Sequence, residues 1–176
     1  MVGLERGTVE LVPHRDEWRE AFETEAERLR STLGDRLLAV EHVGSTAVEG
    51  LAAKPVIDVL AVVEESGDEE GWTRRLEPLG YEFRPDDGVP DRLFYAKGPE
   101  SDRTHYLSVT ERGSETHVEQ LRFRDYLRDN PDVVAEYERL KRDLAEAYPD
   151  DRESYTSEKS AFVEEILRRA NEEKGR

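Results

Sequence analysis

Nine residues, Pro55-Val56-Ile57-Asp58-Val59-Leu60-Ala61-Val62-Val63, form the most apolar run in the chain, and one carboxylate stands inside it. A short run of this kind, rich in β-branched residues and opened by proline, reads as a central strand. Strand geometry sends Asp58 to the face opposite Ile57 and Val59. A carboxylate in such surroundings is costly unless it is paired or holds a metal. The run therefore constrains fold and chemistry together.

The flanking patterns predict the rest of the fold. Trp18, Ala21, Phe22, Ala26, Leu29 and Leu33 share one helical face, with Asp16 placed to cap it and Gly34 to stop it. Leu37 to Val43 reads as a strand, Gly44-Ser45-Thr46 as a turn, and Ala47 to Ala53 as at most two helical turns. A helix is expected from Asp68 to Pro78, ended by Gly80. Tyr81–Phe83, Leu93–Ala96 and Thr104–Thr110 read as strands, with a loop over 84–90. The last third reads as three helices. The first carries Val118, Leu121, Tyr126 and Leu127 and breaks at Asn130-Pro131. The second runs from Val133 to Tyr148, and the third from Thr156, as its cap, to about Ala170. This order predicts an α+β protein with a helical C-terminal segment. A length of 176 residues fits a single domain over 1–176.

Charge narrows the partners. Acids outnumber bases 42 to 26, a formal net charge of −16. Such a field repels nucleic-acid polymers and acidic membranes, while leaving room for a local basic pocket. No cysteine is present, so thiol chemistry and disulfides are excluded. The chain has no membrane-length apolar run and no basic, apolar leader, which predicts a cytoplasmic protein. Only five of the 26 bases are lysine. Acid-rich, lysine-poor surfaces suit a salty cytosol, because dense carboxylates hold water and cations and salt screens their repulsion.

Two features carry chemistry. The Gly44-Ser45-Thr46 turn offers bare N–H groups, hydroxyls and the positive end of a short helix, a seat for phosphate. Asp58 is the metal candidate beside it. The structural alternatives are a plain turn and an ion pair between Asp58 and Lys54. Arg92, Lys97 and Arg103 on or near the later strands are candidate anion ligands. His105 is a candidate base, metal ligand or core residue. Arg122, Arg124 and Arg128 read as a solvated helix face or as partners of Asp125 and Asp129.

The segment His42-Val43-Gly44-Ser45-Thr46-Ala47-Val48, continued by Gly50 to Val59, resembles the signature of the GrpB family, a branch of the nucleotidyltransferase-like superfamily. Leu121 to Arg128, Asn130-Pro131, Tyr137, Leu140-Lys141, and Asp151 to Thr156 with Lys159 agree. The resemblance implies a mixed β-sheet flanked by helices. It implies a nucleotide or phosphorylated small molecule as ligand, bound at Gly44, Ser45, Thr46 and Lys54, to which the charge argument adds Arg92 and Lys97. His42, His105 and Arg103 are further candidate site residues. Asp58 would be the catalytic and metal-binding carboxylate, with Mg²⁺ as cofactor. The superfamily's second acid, two residues on, is Leu60 here. That leaves two readings: a nucleotidyltransferase, or a noncatalytic ligand-binding or regulatory domain that has lost its second metal ligand.

Screening of acid repulsion predicts that the melting midpoint rises between low and molar KCl. A flat or falling midpoint over that range, followed by circular dichroism, would refute the salt-adapted surface.

Overall fold

The computed structural model describes residues 1–85 and 87–175. Five strands, β1 (Leu37–Val43), β2 (Ile57–Val63), β3 (Tyr81–Phe83), β4 (Arg92–Lys97) and β5 (His105–Glu111), form one mixed sheet in the order β1-β2-β5-β4-β3. β2 pairs antiparallel with β1 and parallel with β5; β4 runs antiparallel to β5 and to β3. The apolar run is thus interior to the sheet, as its composition demands. Of the loop expected over 84–90, Asp86 lies outside the described residues.

The two faces of β2 go to different layers. Ile57, Val59, Ala61 and Val63 pack with Trp18, Phe22, Ala26, Leu29 and Leu33 of α1 (Glu17–Leu33) and with Trp72 and Leu76 of α2 (Glu69–Leu76). Leu60 and Val62 face the other way, with Val43 and with Leu121 of α3 (Glu115–Asp129). Outside α3 lie α4 (Pro131–Ala147) and α5 (Arg152–Lys174), which share a core of Leu127, Tyr137 and Phe162 with Val48 and Leu51. Asp58 belongs to this second face. At its end of β2 the helical layer stands off the sheet and leaves a cavity.

Asp16 precedes α1 but its side chain makes no cap bond to it. Three further expectations change. No helix forms over Ala47–Ala53: a single 3₁₀ turn spans Ser45–Ala47, and the chain beyond it is irregular. Side chains of α4 hold that segment instead. Lys141 Nζ donates to the Ala52 carbonyl at 2.6 Å, and the Glu138 carboxylate accepts from the Ala52 N–H at 3.1 Å. The last helix starts one turn earlier than Thr156 because Asp151 caps it, accepting from Ser154 N–H at 3.0 Å. The third concerns Lys97, which turns to the α1 face. Its Nζ lies 2.8 Å from both oxygens of the almost fully buried Glu25, which also accepts from the Tyr81 hydroxyl at 2.8 Å. Burial raises the Glu25 carboxyl, but Lys97 and Tyr81 outweigh it and hold the group below its ordinary range.

Lys97→Met strands a buried carboxylate and is expected to cost about 3 kcal/mol in urea melts. Adding Glu25→Gln is expected to recover much of that loss, since the stranded charge is then gone. Additive losses would show that the two groups do not act as a pair.

Candidate functional site

The Gly44 turn and Asp58 lie against each other. Val43 pairs directly with Asp58 across β1 and β2, so the turn leaving β1 folds over the start of β2. Gly44 has φ 72° and ψ −172°, a conformation essentially reserved for glycine. A Cβ on Gly44 would stand 2.5 Å from Asp58 Oδ2. The glycine therefore serves the carboxylate as much as the turn.

Buried side chains fix the turn from behind. His42 Nε2 lies 2.9 Å from the Thr46 hydroxyl, and its ring stacks on Phe22 at 4.7 Å. Burial, with Arg128 and Arg124 nearby, pushes His42 down to about 3, so the ring is neutral. Arg128 donates to the Ala47 carbonyl from Nε at 3.0 Å and from Nη2 at 2.8 Å. Arg124 pairs with Glu41 at 2.7 Å and donates to the His42 carbonyl. Arg124 and Arg128 are thus braces of the turn more than a solvated face. Thr46 and His42 bond to each other, while the Ser45 hydroxyl faces the cavity beside the buried Tyr137 hydroxyl, with which it interacts.

The cavity measures about 340 Å³. Val43, Asp58 and the turn form its floor; Arg92, Phe94, Tyr106 and Ser108 of β4 and β5 form one wall. The helices close it with Glu119, Tyr137, Lys141, Arg152, Tyr155 and Lys159. Five cations, Lys54, Arg92, Lys141, Arg152 and Lys159, thus face two carboxylates, Asp58 and Glu119. In a chain of net charge −16 this is a strong local reversal of sign.

Some of these charges are tied and some are not. Arg92 pairs with Asp87 at 2.6 Å and donates to Ser108 at 3.3 Å. Arg152 donates to the Tyr106 hydroxyl at 2.9 Å. Among the described residues, Asp58, Lys54 and Lys159 make no side-chain hydrogen bond and no ion pair within 4 Å. Lys54 and Lys159 instead lie near the Tyr155 ring, with Nζ 5.3 and 5.5 Å from its centroid. Burial, with Lys159 and Arg152 nearby, pushes Lys54 down to about 7, while Asp58 pulls the other way. Burial also raises the Asp58 carboxyl against the pull of Lys54, Lys159, Arg152 and Arg92. Burial, with Lys159 and Lys54 nearby, likewise pushes the nearly fully buried Lys141 well below its ordinary range.

Of the candidate site residues, Gly44, Ser45, Thr46, Lys54, Asp58 and Arg92 meet at this cavity. Lys97, His105 and Arg103 do not line it. Burial beside Lys97 and Arg28 pushes His105 down to about 4, with Glu25 pulling the other way. Arg103 is buried by its bonds to the Gly98 carbonyl and to Glu82. Tyr137, Lys141, Arg152, Tyr155 and Lys159 are cavity residues that strand and turn patterns missed. The spacing of Arg152, Tyr155, Thr156, Lys159 and Val163 on one helical face was the available signal.

Magnesium wants several hard oxygens in octahedral order. Asp58 has only Glu119 as a second cavity carboxylate among five cations, Leu60 occupies the place of the second strand acid and is fully buried, and no cluster of three His, Cys, Asp or Glu occurs among the described residues. These residues do not fit a Mg²⁺ site. The phosphate seat also lacks the helix dipole expected of it, since only one 3₁₀ turn follows Gly44.

The sheet with its helical layer has the nucleotidyltransferase fold. Cid1 poly(U) polymerase, in a structure bound to MgATP, superposes with a TM-score of 0.52 at 12% identity, over 76% of this chain and 44% of that one. The GrpB protein family profile matches residues 8–169, and the chain belongs to that family. The glutamate-rich protein GrpB of Alkalihalophilus pseudofirmus is 40% identical over 171 residues, covering 95% of this chain and 98% of that protein. The crystal structure of the conserved protein GrpB from Enterococcus faecalis superposes with a TM-score of 0.86 at 36% identity, over 95% of this chain and 100% of that one. No helix among the described residues is long and apolar enough to cross a membrane.

Gly44→Ala combines a glycine-only conformation with a clash and is expected to cost about 2 kcal/mol. Asp58→Ala in the same chain is expected to relieve part of that loss, read as a positive coupling in a double-mutant cycle of urea melts. Zero coupling would separate the turn from the carboxylate.

Proposed function

We propose that the chain binds a nucleotide or another phosphorylated small molecule in the Asp58 cavity. The observation that carries this is the convergence of five cations on one cavity of an acidic protein, with Lys54 and Lys159 lacking anionic partners there. A phosphate has the charge and the acceptor oxygens to satisfy them. Arg92 and Arg152 supply fixed charge, Ser45 a hydroxyl, and Gly44 a close backbone approach.

Binding is favoured over nucleotidyl transfer by the lone carboxylate. Two acids on adjacent same-side positions hold catalytic magnesium in active relatives of this fold, and Leu60 removes one of them. Asp58 then serves as a proton-holding and orienting group among the cations. A nucleotide ligand is supported by the fold, and a smaller phosphate ester by the cavity's size.

Titration calorimetry with sulfate, whose charge is fixed near neutrality, tests the pocket. An oxyanion favours the ammonium form of Lys54 and raises its proton affinity. Binding is therefore expected to take up protons above about pH 7, and affinity to fall between about pH 6 and pH 9. Mg²⁺ is expected to leave the affinity for inorganic phosphate unchanged. Lys159→Met is expected to weaken that affinity about tenfold, the loss of one charge contact of about 1.4 kcal/mol. Absence of oxyanion binding, or binding that requires Mg²⁺, would overturn the reading.

A further inference from the structure

The choice of base inside the cavity differs from that elsewhere. Arginine supplies most of the chain's positive charge, yet three of its five lysines, Lys54, Lys141 and Lys159, line this cavity. Arginine holds an oxyanion at least as well and keeps its charge when buried. Lysine offers what arginine lacks: once deprotonated, its amine is a nucleophile. Lys141 is committed to the Ala52 carbonyl, and Lys159 stands on the second turn of α5. Lys54 reaches the cavity beside Asp58, with no polar side-chain partner among the described residues. We propose that Lys54 forms a reversible imine with the carbonyl carbon of a phosphorylated aldehyde or ketone held in this cavity.

The proposal rests on the phosphate-binding reading and names the ligand class within it. The step balances with groups already present. The Lys54 Nζ lone pair attacks the carbonyl carbon, a C–N bond forms, and the carbonyl π pair moves to oxygen. The amine's proton passes to that oxygen, giving a carbinolamine. The C–O bond then breaks as nitrogen pushes in its lone pair. The protonated Asp58 carboxyl gives its proton to the departing oxygen, which leaves as water. The product is a protonated imine facing the Asp58 carboxylate, an ion pair that the cavity gains on reaction. Arg92 and Arg152 remain charged throughout and have N–H groups beyond those bound to Asp87, Ser108 and Tyr106 with which to hold the phosphate. Burial and the neighbouring cations, which lower the proton affinity of Lys54, make its free amine available near neutral pH.

The test uses the full chain and pyridoxal 5′-phosphate as a probe aldehyde, reduced with borohydride and mapped by peptide mass spectrometry. Holding the phosphate concentrates the aldehyde at Lys54, so Lys54 is expected to carry about tenfold more label than Lys97 or Lys174. Inorganic phosphate is expected to protect Lys54, and pyridoxal, which lacks the phosphate, to label it poorly. Lys54→Arg is expected to abolish the adduct, and Lys174→Arg to leave it unchanged. Label spread evenly over the lysines, label centred on Lys141 or Lys159, or equal labelling by pyridoxal would overturn the proposal. The wild-type map decides it even if Lys54→Arg fails to fold. Calorimetry with inorganic phosphate on the wild type separates the two claims. Phosphate binding without an imine removes this inference alone; no phosphate binding and no imine removes both.

Discussion

The contact between Gly44 and Asp58 is the constraint from which the site is built. β2 needs an apolar face toward each layer, and Asp58 interrupts the second of them. A helix packed onto that position would bury an unpartnered carboxylate, at a cost no ordinary packing recovers. The helical layer stands off instead, and the gap becomes the cavity. The turn from β1 crosses directly over the carboxylate, and only a residue without a side chain can cross there. One charge in an apolar strand thus accounts for the glycine, the stand-off and the space for a ligand.

Much of this was legible in the sequence because local rules write it there. The continuous apolar run of β2, the α1 stripe and the glycine and proline breaks placed every strand and all five long helices. What failed were inferences that needed the third dimension. Lys97 and Arg92 sit on one strand five residues apart, so alternation puts them on opposite faces. Which face owned the cavity was set by how β4 docks beside β5. Lys97 therefore went to Glu25, 72 positions away in the chain. The missing helix after the turn has a similar cause. Ala47–Ala53 is short, and the contacts that fix it come from Arg128, Glu138 and Lys141, far downstream.

The cations illustrate the same division. Arg124 and Arg128 lie on helical spacing and read as a solvated face or as partners of Asp125 and Asp129; Arg124 does pair with Asp125, yet it also reaches the His42 carbonyl near the end of β1, and Arg128 reaches the Ala47 carbonyl of the turn. They donate to carbonyls left open by the edge strand at His42 and by the irregular backbone at Ala47. Arg152 and Lys159 come from the helix most remote in sequence. Their family-like motif was visible, but their destination was not, because nothing local says that the start of α5 reaches back to β5.

The opposition between an acidic exterior and a cationic cavity bears on how a ligand is captured. At long range the net charge of −16 repels an anion, so steering cannot drive its arrival at low salt. Near molar salt the Debye length falls to about 3 Å, and the exterior field is felt only at contact. Charges lining a partly buried cavity are screened far less, because low-dielectric walls and little mobile salt lie between them. Rising salt therefore weakens the barrier outside more than the attraction inside, until salt anions compete for the cavity directly. A chain with this charge layout is expected to hold its ligand through short contacts from Arg92, Arg152 and the lysines, and to owe little to long-range attraction. That is the arrangement in which removing a single cavity cation matters and adding surface cations does not.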